Sequence, residues 1–187
     1  FKVEGCKVNK SMKEPRYYLL DKGGALHAYN RFFNSFCQAT SFNDTWDCLK
    51  NKATAKNLVF LSSPKKVREA ALDLASSLPD DPVAPELARD ISALTEHVSP
   101  LYDEILCLQH GVVYLHGQMP DGIKNYLLNR AAKLDSIRFI FANEVIMEGI
   151  NLPFDSVFIL ELRTKRRSAL INLIGRASQL NYVFGER

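Results

Sequence analysis

Four short apolar runs limit most strongly what this chain can fold into: "NLVFL" at 57–61, "GVVYLH" at 111–116, "SIRFIFA" at 136–142 and "SVFIL" at 156–160. Their length and their Val, Ile and Phe content suit buried strands. Between them the apolar period changes to that of a helix. After the first run, Ser63 is placed to cap and Pro64 to occupy the first helical position, while Val67, Ala70, Ala71, Leu74 and Leu78 fall on one face. A second stripe runs through Leu87, Ile91 and Leu94 within 84–96, and a third, after Pro120, through Ile123, Tyr126, Leu127, Ala131 and Leu134. Strands alternating with helices of this length imply right-handed crossovers and a parallel sheet with covered faces, so the expected fold class is α/β. Sites in such a sheet lie at the carboxyl ends of its strands. The loops after Leu61, His116, Ala142 and Leu160 are therefore the places to look for function.

Residues 1–56 read differently. "RYYLL" suits a strand, "DKGG" at 21–24 a turn, and Leu26, Tyr29, Phe32, Phe33 and Phe36 an aromatic-rich helix. The expectation is a short N-terminal flank, 1–55, packed on an α/β core at 56–187. A chain of 187 residues with 47% hydrophobic composition can bury such a core. Its net charge of +3 is too mild to announce nucleic-acid binding. That argument rests on local clusters, Lys65, Lys66 and Arg68, and Arg163, Lys165, Arg166 and Arg167, which suit either phosphates or a solvated face. Cys6, Cys37, Cys48 and Cys107 form no CxxC pair and no regular framework, so reduced thiols and a cytoplasmic location are expected, or a nucleoid or nuclear one. No apolar run approaches the roughly 20 residues that cross a bilayer, so no membrane partner is expected. The first residue is Phe1 and the last residues read "GER", as in a piece of something longer.

Three motifs follow in order. In "FANEVIMEGINLP", 141–153, Asn143 and Glu144 leave a strand, and Gly149, Asn151 and Pro153 end a short helical turn. Gly149 permits close approach of a ligand to the backbone, and Asn151 offers both donor and acceptor. The plainer reading is a helix ending on its usual glycine. "GVVYLHGQMP", 111–120, precedes it and "LINLIGRASQLN", 170–181, follows. Together they resemble the second RecA-like domain of superfamily-two helicases, closest to the branch whose motifs read "GVxxHHAGLP", "ATxTLAEGVNLP" and "QMxGRAGR". "LVFLSSPKKVREAALDLA" is similar to the strand and helix that open that domain. The resemblance spans roughly residues 55–181.

This resemblance implies a RecA-like, three-layer domain and a set of roles. Ser62 and Ser63 match a loop that touches the nucleic-acid backbone. His116 and Gly117 match the first His of "HHAGLP" and the residue after it. Asn143 and Glu144 stand where the family has Thr and Ser against a phosphate, and Glu144 brings a charge that repels one. Glu148, Gly149 and Asn151 match the part lining the nucleotide side of the interdomain cleft. Arg176 matches the arginine that reaches the ATP γ-phosphate, where a planar guanidinium makes two charge-assisted bonds and stabilises charge in transfer. Asn172, Ser178 and Gln179 replace the family's Gln, Gly and second Arg.

The chain has no GxxxxGK(S/T), so ATP and Mg²⁺ are expected to bind mainly to a preceding RecA-like domain. The implied partners are that domain and single-stranded DNA or RNA; the implied function is the C-terminal half of an ATP-driven motor, inactive alone. The alternative is a degenerate helicase domain that binds nucleic acid or protein without hydrolysis. Two decoys stand apart. "YDEI" at 102–105 resembles a DE-box but has helical spacing before it, and Cys107, His110 and His116 lack the second pair a zinc site needs, so no metal is expected.

Overall fold

A computed structural model describes residues 2–4, 16–147, 152, 154–161 and 171. Its parallel unit is built from β5 (Asn57–Phe60), β6 (Val112–Leu115), β7 (Phe139–Ala142) and β8 (Ser156–Ile159), the four apolar runs trimmed at their ends. All sixteen positions are buried, as strands covered on both faces require. The helices are α2 (Pro64–Ser77), α3 (Pro85–His97), α4 (Asp103–Gln109) and α5 (Asp121–Lys133); of the stripes read from the sequence they bury Val67, Ala70, Ala71, Leu74, Leu87, Leu94, Leu127 and Ala131, while Tyr126 is exposed and Leu78 and Leu134 fall just past their helices. The fold is α/β and RecA-like, with a four-stranded parallel sheet in the order β8-β5-β7-β6. The "YDEI" segment is helical and carries no strand-borne acid pair.

Two local expectations are corrected. Ser63 does occupy the N-cap of α2, but its side chain makes no capping bond. The helix start is set instead by Pro64 and by the Ser63 carbonyl, which accepts from the Val67 N–H at 2.9 Å. The aromatic-rich stretch is also no helix. It forms β3 (Ala25–Asn30) and β4 (Ser35–Ser41) around a four-residue tip. Asn30 Oδ1 accepts from the N–H groups of Phe32 at 2.9 Å and Phe33 at 3.3 Å, and Asn34 takes φ +47, a combination that turns the chain back on itself. The rings that fell at helical spacing then pair across strands. Tyr29 lies 5.4 Å from Phe36 and 6.4 Å from Tyr17 of β2 (Arg16–Leu20).

The first segment thereby extends the sheet. β1 (Lys2–Glu4) pairs antiparallel with β8 on one side and with β2 on the other, giving the order β4-β3-β2-β1-β8-β5-β7-β6. The "DKGG" turn is observed between β2 and β3. Gly24 at φ +84 sits so close to the Phe42 carbonyl that a Cβ there would be 2.1 Å from its oxygen. α1 (Thr45–Lys52) is capped by Asp44, which accepts from the Asp47 N–H at 2.7 Å, and places Leu49 in the main core.

Three contacts lock the parallel unit. Lys56 Nζ donates to the carbonyls of Ala131, Leu134 and Ile137 at 2.8, 2.7 and 2.8 Å, so a cation closes the C-terminal end of α5. Buried Asp90 on α3 accepts from Tyr126 Oη and Arg130 Nε on α5, both at 2.7 Å. Gly111, at φ +67, lets the chain enter β6 beside Ser136, where a Cβ would stand 2.3 Å from the carbonyl oxygen.

Candidate nucleic-acid edge

The four parallel strands end level with one another. Phe60 pairs with Ala142 on one side and Ile159 on the other, and Leu115 pairs with Ala142. The next residues therefore line one edge in the order Leu160–Glu161, Leu61–Ser63, Asn143–Glu144 and His116–Gly117. Six sequence-predicted residues, Ser62, Ser63, His116, Gly117, Asn143 and Glu144, are brought to this edge. Arg176, Glu148, Gly149 and Asn151 lie outside the described residues, as do Asn172, Ser178, Gln179 and the basic residues Arg163, Lys165, Arg166 and Arg167.

Two of the six side chains are held by hydrogen bonds of their own. Ser62 is half-buried, and its hydroxyl donates to the Glu161 carbonyl at 3.3 Å. Ser63 is half-buried at the start of α2. Asn143 Oδ1 accepts from the Val145 N–H at 3.3 Å, and its carbonyl accepts from Ile146 N–H at 3.1 Å, opening a 3₁₀ turn at Glu144–Met147. Glu144 stands exposed at the head of that turn. Gly117 is exposed, and a Cβ placed on it would meet nothing within 4 Å.

His116 is the most constrained of the six. Its ring stacks on Tyr114 with centroids 5.9 Å apart and planes 13° from parallel, and its Nδ1 is buried with no hydrogen-bond partner among the described residues. Burial, and then the nearby Arg68 guanidinium, hold its pKa below the usual 6.5, so the imidazole is neutral at pH 7. A neutral ring keeps an acceptor available, which a doubly protonated one lacks.

Within the discounted "YDEI" segment one carboxylate is buried and bonds to the strand that leads to His116. Glu104, fully buried on α4, accepts the Tyr114 N–H at 3.0 Å, while its second oxygen has no partner among the described residues. Burial raises its pKa well above the ordinary carboxylate range, and burial likewise pushes Tyr102 up to about 12. The sequence carried one signal for this. Glu104 lies three and four residues before Cys107 and Leu108, which marks it as sharing their buried face. Arg68 ion-pairs with Asp103 and joins α2 to α4, Lys66 meets Glu161 at 2.9 Å, and Lys65 approaches Glu69 at 3.7 Å. The basic cluster on α2 is thus balanced by acids. Among the described residues, no group of three or more His, Cys, Asp and Glu side chains could hold a metal ion, and no helix is long and apolar enough to cross a membrane.

The covered four-stranded parallel sheet flanked by helices is that of a RecA-like domain, and in open parallel sheets ligands bind at the carboxyl-end loops, where these side chains stand. Residues 89–181 match the helicase conserved C-terminal domain family, and the chain carries the C-terminal domain of a helicase. The match includes His116, Gly117, Asn143 and Glu144 but begins after Ser62 and Ser63. Helicase C-terminal domains bind nucleic acid and partner domains. No curated protein matches the chain.

Proposed function

We propose that this domain is the second RecA-like unit, residues 56–187 with their flank, of a superfamily-two DNA or RNA helicase or translocase acting inside the cell. The observation that supports the reading best is the shared edge formed by Ser62, Ser63, Asn143, Glu144, His116 and Gly117 in a helicase C-terminal domain. Along this edge the hydroxyls and exposed backbone would contact phosphates of a single strand, and contacts of that kind position a strand without reading its bases. ATP and Mg²⁺ would be held mainly by the preceding RecA-like domain. Glu148, Gly149 and Asn151 would face the nucleotide from this side, and Arg176 would stabilise charge on the γ-phosphate during transfer. Opening and closing of the cleft would then shift the grip on the strand. Alone, the chain would hydrolyse essentially no ATP.

The test is ATP hydrolysis by the protein that joins this domain to its preceding one, with and without single-stranded DNA or RNA, for wild type and Arg176→Ala. Stimulation by one nucleic acid, falling by roughly 10³-fold or more in the variant, is expected of an arginine finger. A rate indifferent to Arg176 would overturn the assignment. A second reading, a binding module that has lost hydrolysis, is favoured by Gln179 in place of a second arginine and by the exposed carboxylate of Glu144. Binding without hydrolysis in the wild type would select it. In either case Glu144→Gln should tighten single-strand binding several-fold at low salt, read by fluorescence anisotropy, because it removes a charge that repels phosphate.

A further inference from the structure

The three basic side chains in the first half of α2 are told apart by their partners. Arg68 is paired with Asp103 and joins α2 to α4, while Lys65 turns along α2 itself toward Glu69, four residues on. Lys66 instead reaches across the carboxyl edge of the sheet. Its Nζ meets Oε1 of Glu161 at 2.9 Å, so the loop after β5 is tied by charge to the loop after β8. The same Glu161 also engages Ser62, whose hydroxyl donates to its carbonyl at 3.3 Å. Both ends of the ion pair remain open to water, with 51% of the Lys66 side chain and 21% of the Glu161 side chain exposed.

The helix does not explain the lysine. The first turn of α2 carries Lys65 and Lys66 and no acid, although the helix dipole favours anions at that end. An ion pair this open to solvent contributes little and is screened by salt. A phosphate arriving at the edge offers the ammonium a second anion, and the exchange gives up only that weak pair. Glu161 keeps its charge beside the newcomer, which holds the exchange near balance. A near-balanced contact suits a surface that must both grip a strand and release it, whereas a lysine with no competing acid would favour the grip alone.

We infer that Lys66 is a phosphate contact of the bound single strand and that Glu161 is its resting partner, releasing the ammonium when a strand arrives and recovering it when the strand leaves. The inference rests on the reading of this edge as the strand's track. To the hydroxyls of Ser62 and Ser63 it adds a cation three residues further on, and to Glu161 it gives the task of limiting affinity.

Fluorescence anisotropy of labelled oligo(dT) and oligo(U) with the full protein at low salt tests this. Lys66→Gln should weaken binding several-fold. Glu161→Gln should tighten it several-fold and steepen the log–log salt dependence by about 0.7, the contribution of one phosphate on a single strand. The double variant should bind no more tightly than Lys66→Gln alone, whereas Glu144→Gln, which acts by repulsion, should tighten binding with or without Lys66. Equal tightening by Glu161→Gln in both backgrounds would overturn the inference, since the carboxylate would then only repel. So would an affinity indifferent to Lys66→Gln, or a lowered urea midpoint in both single variants with affinity unmoved, the mark of a merely structural bridge. A wild type that binds neither oligonucleotide would overturn the reading of the edge and this inference with it.

Discussion

A buried imidazole nitrogen with no hydrogen-bond partner among the described residues makes His116 sensitive to acid. Its folded pKa lies below 6.5, so the unfolded chain binds the proton more readily. The stability due to neutral His116 is complete above the unfolded value and is lost as pH falls through the folded one. The urea midpoint of the wild type should therefore drop between pH 7 and pH 5 more steeply than that of His116→Gln. Equal slopes would mean that the ring is solvated in both protonation states. Two glycines make a complementary pair. Gly111→Ala forces a Cβ within 2.3 Å of a carbonyl oxygen at positive φ and should cost roughly 2–4 kcal/mol. Gly117→Ala enters open space and should change stability by less than about 0.5 kcal/mol. Any loss of nucleic-acid affinity in Gly117→Ala would then report on the surface and not on folding; chemical denaturation beside a binding titration separates the two.

The elements differed in how plainly their residues announced them. The parallel unit was legible because its strands are continuous apolar runs and its helices keep apolar stripes, two patterns with different periods. The β3–β4 hairpin was misread because Leu26, Tyr29, Phe32, Phe33 and Phe36 satisfy a helical period by chance, while Asn30 and Asn34 set the turn through local bonds that carry little periodic signal. The edge loops could be placed from strand order alone. The bond from the Tyr114 N–H to Glu104 could not, since it joins two different elements. Asp90 is another such long-range tie. Asp90→Ala would leave the Arg130 guanidinium and the Tyr126 hydroxyl without their shared acceptor between α3 and α5, and should cost about 3 kcal/mol in thermal or urea unfolding. A cost below 1 kcal/mol would show that solvent replaces the carboxylate.

For the whole molecule, the most consequential pairing is that of β1 with β8, where Lys2 lies opposite Phe158. The hairpin strands β2, β3 and β4 are neighbours in sequence and can find one another quickly, and the parallel unit has crossovers of its own. The join between these halves instead closes a loop spanning most of the chain, and such closures come late because their entropy must be lost before any contact compensates for it. During synthesis β1 leaves the ribosome long before β8 exists. Until then the free edges of both halves stay open, so the interval between making β1 and making β8 is when these strands are most exposed to wrong pairing.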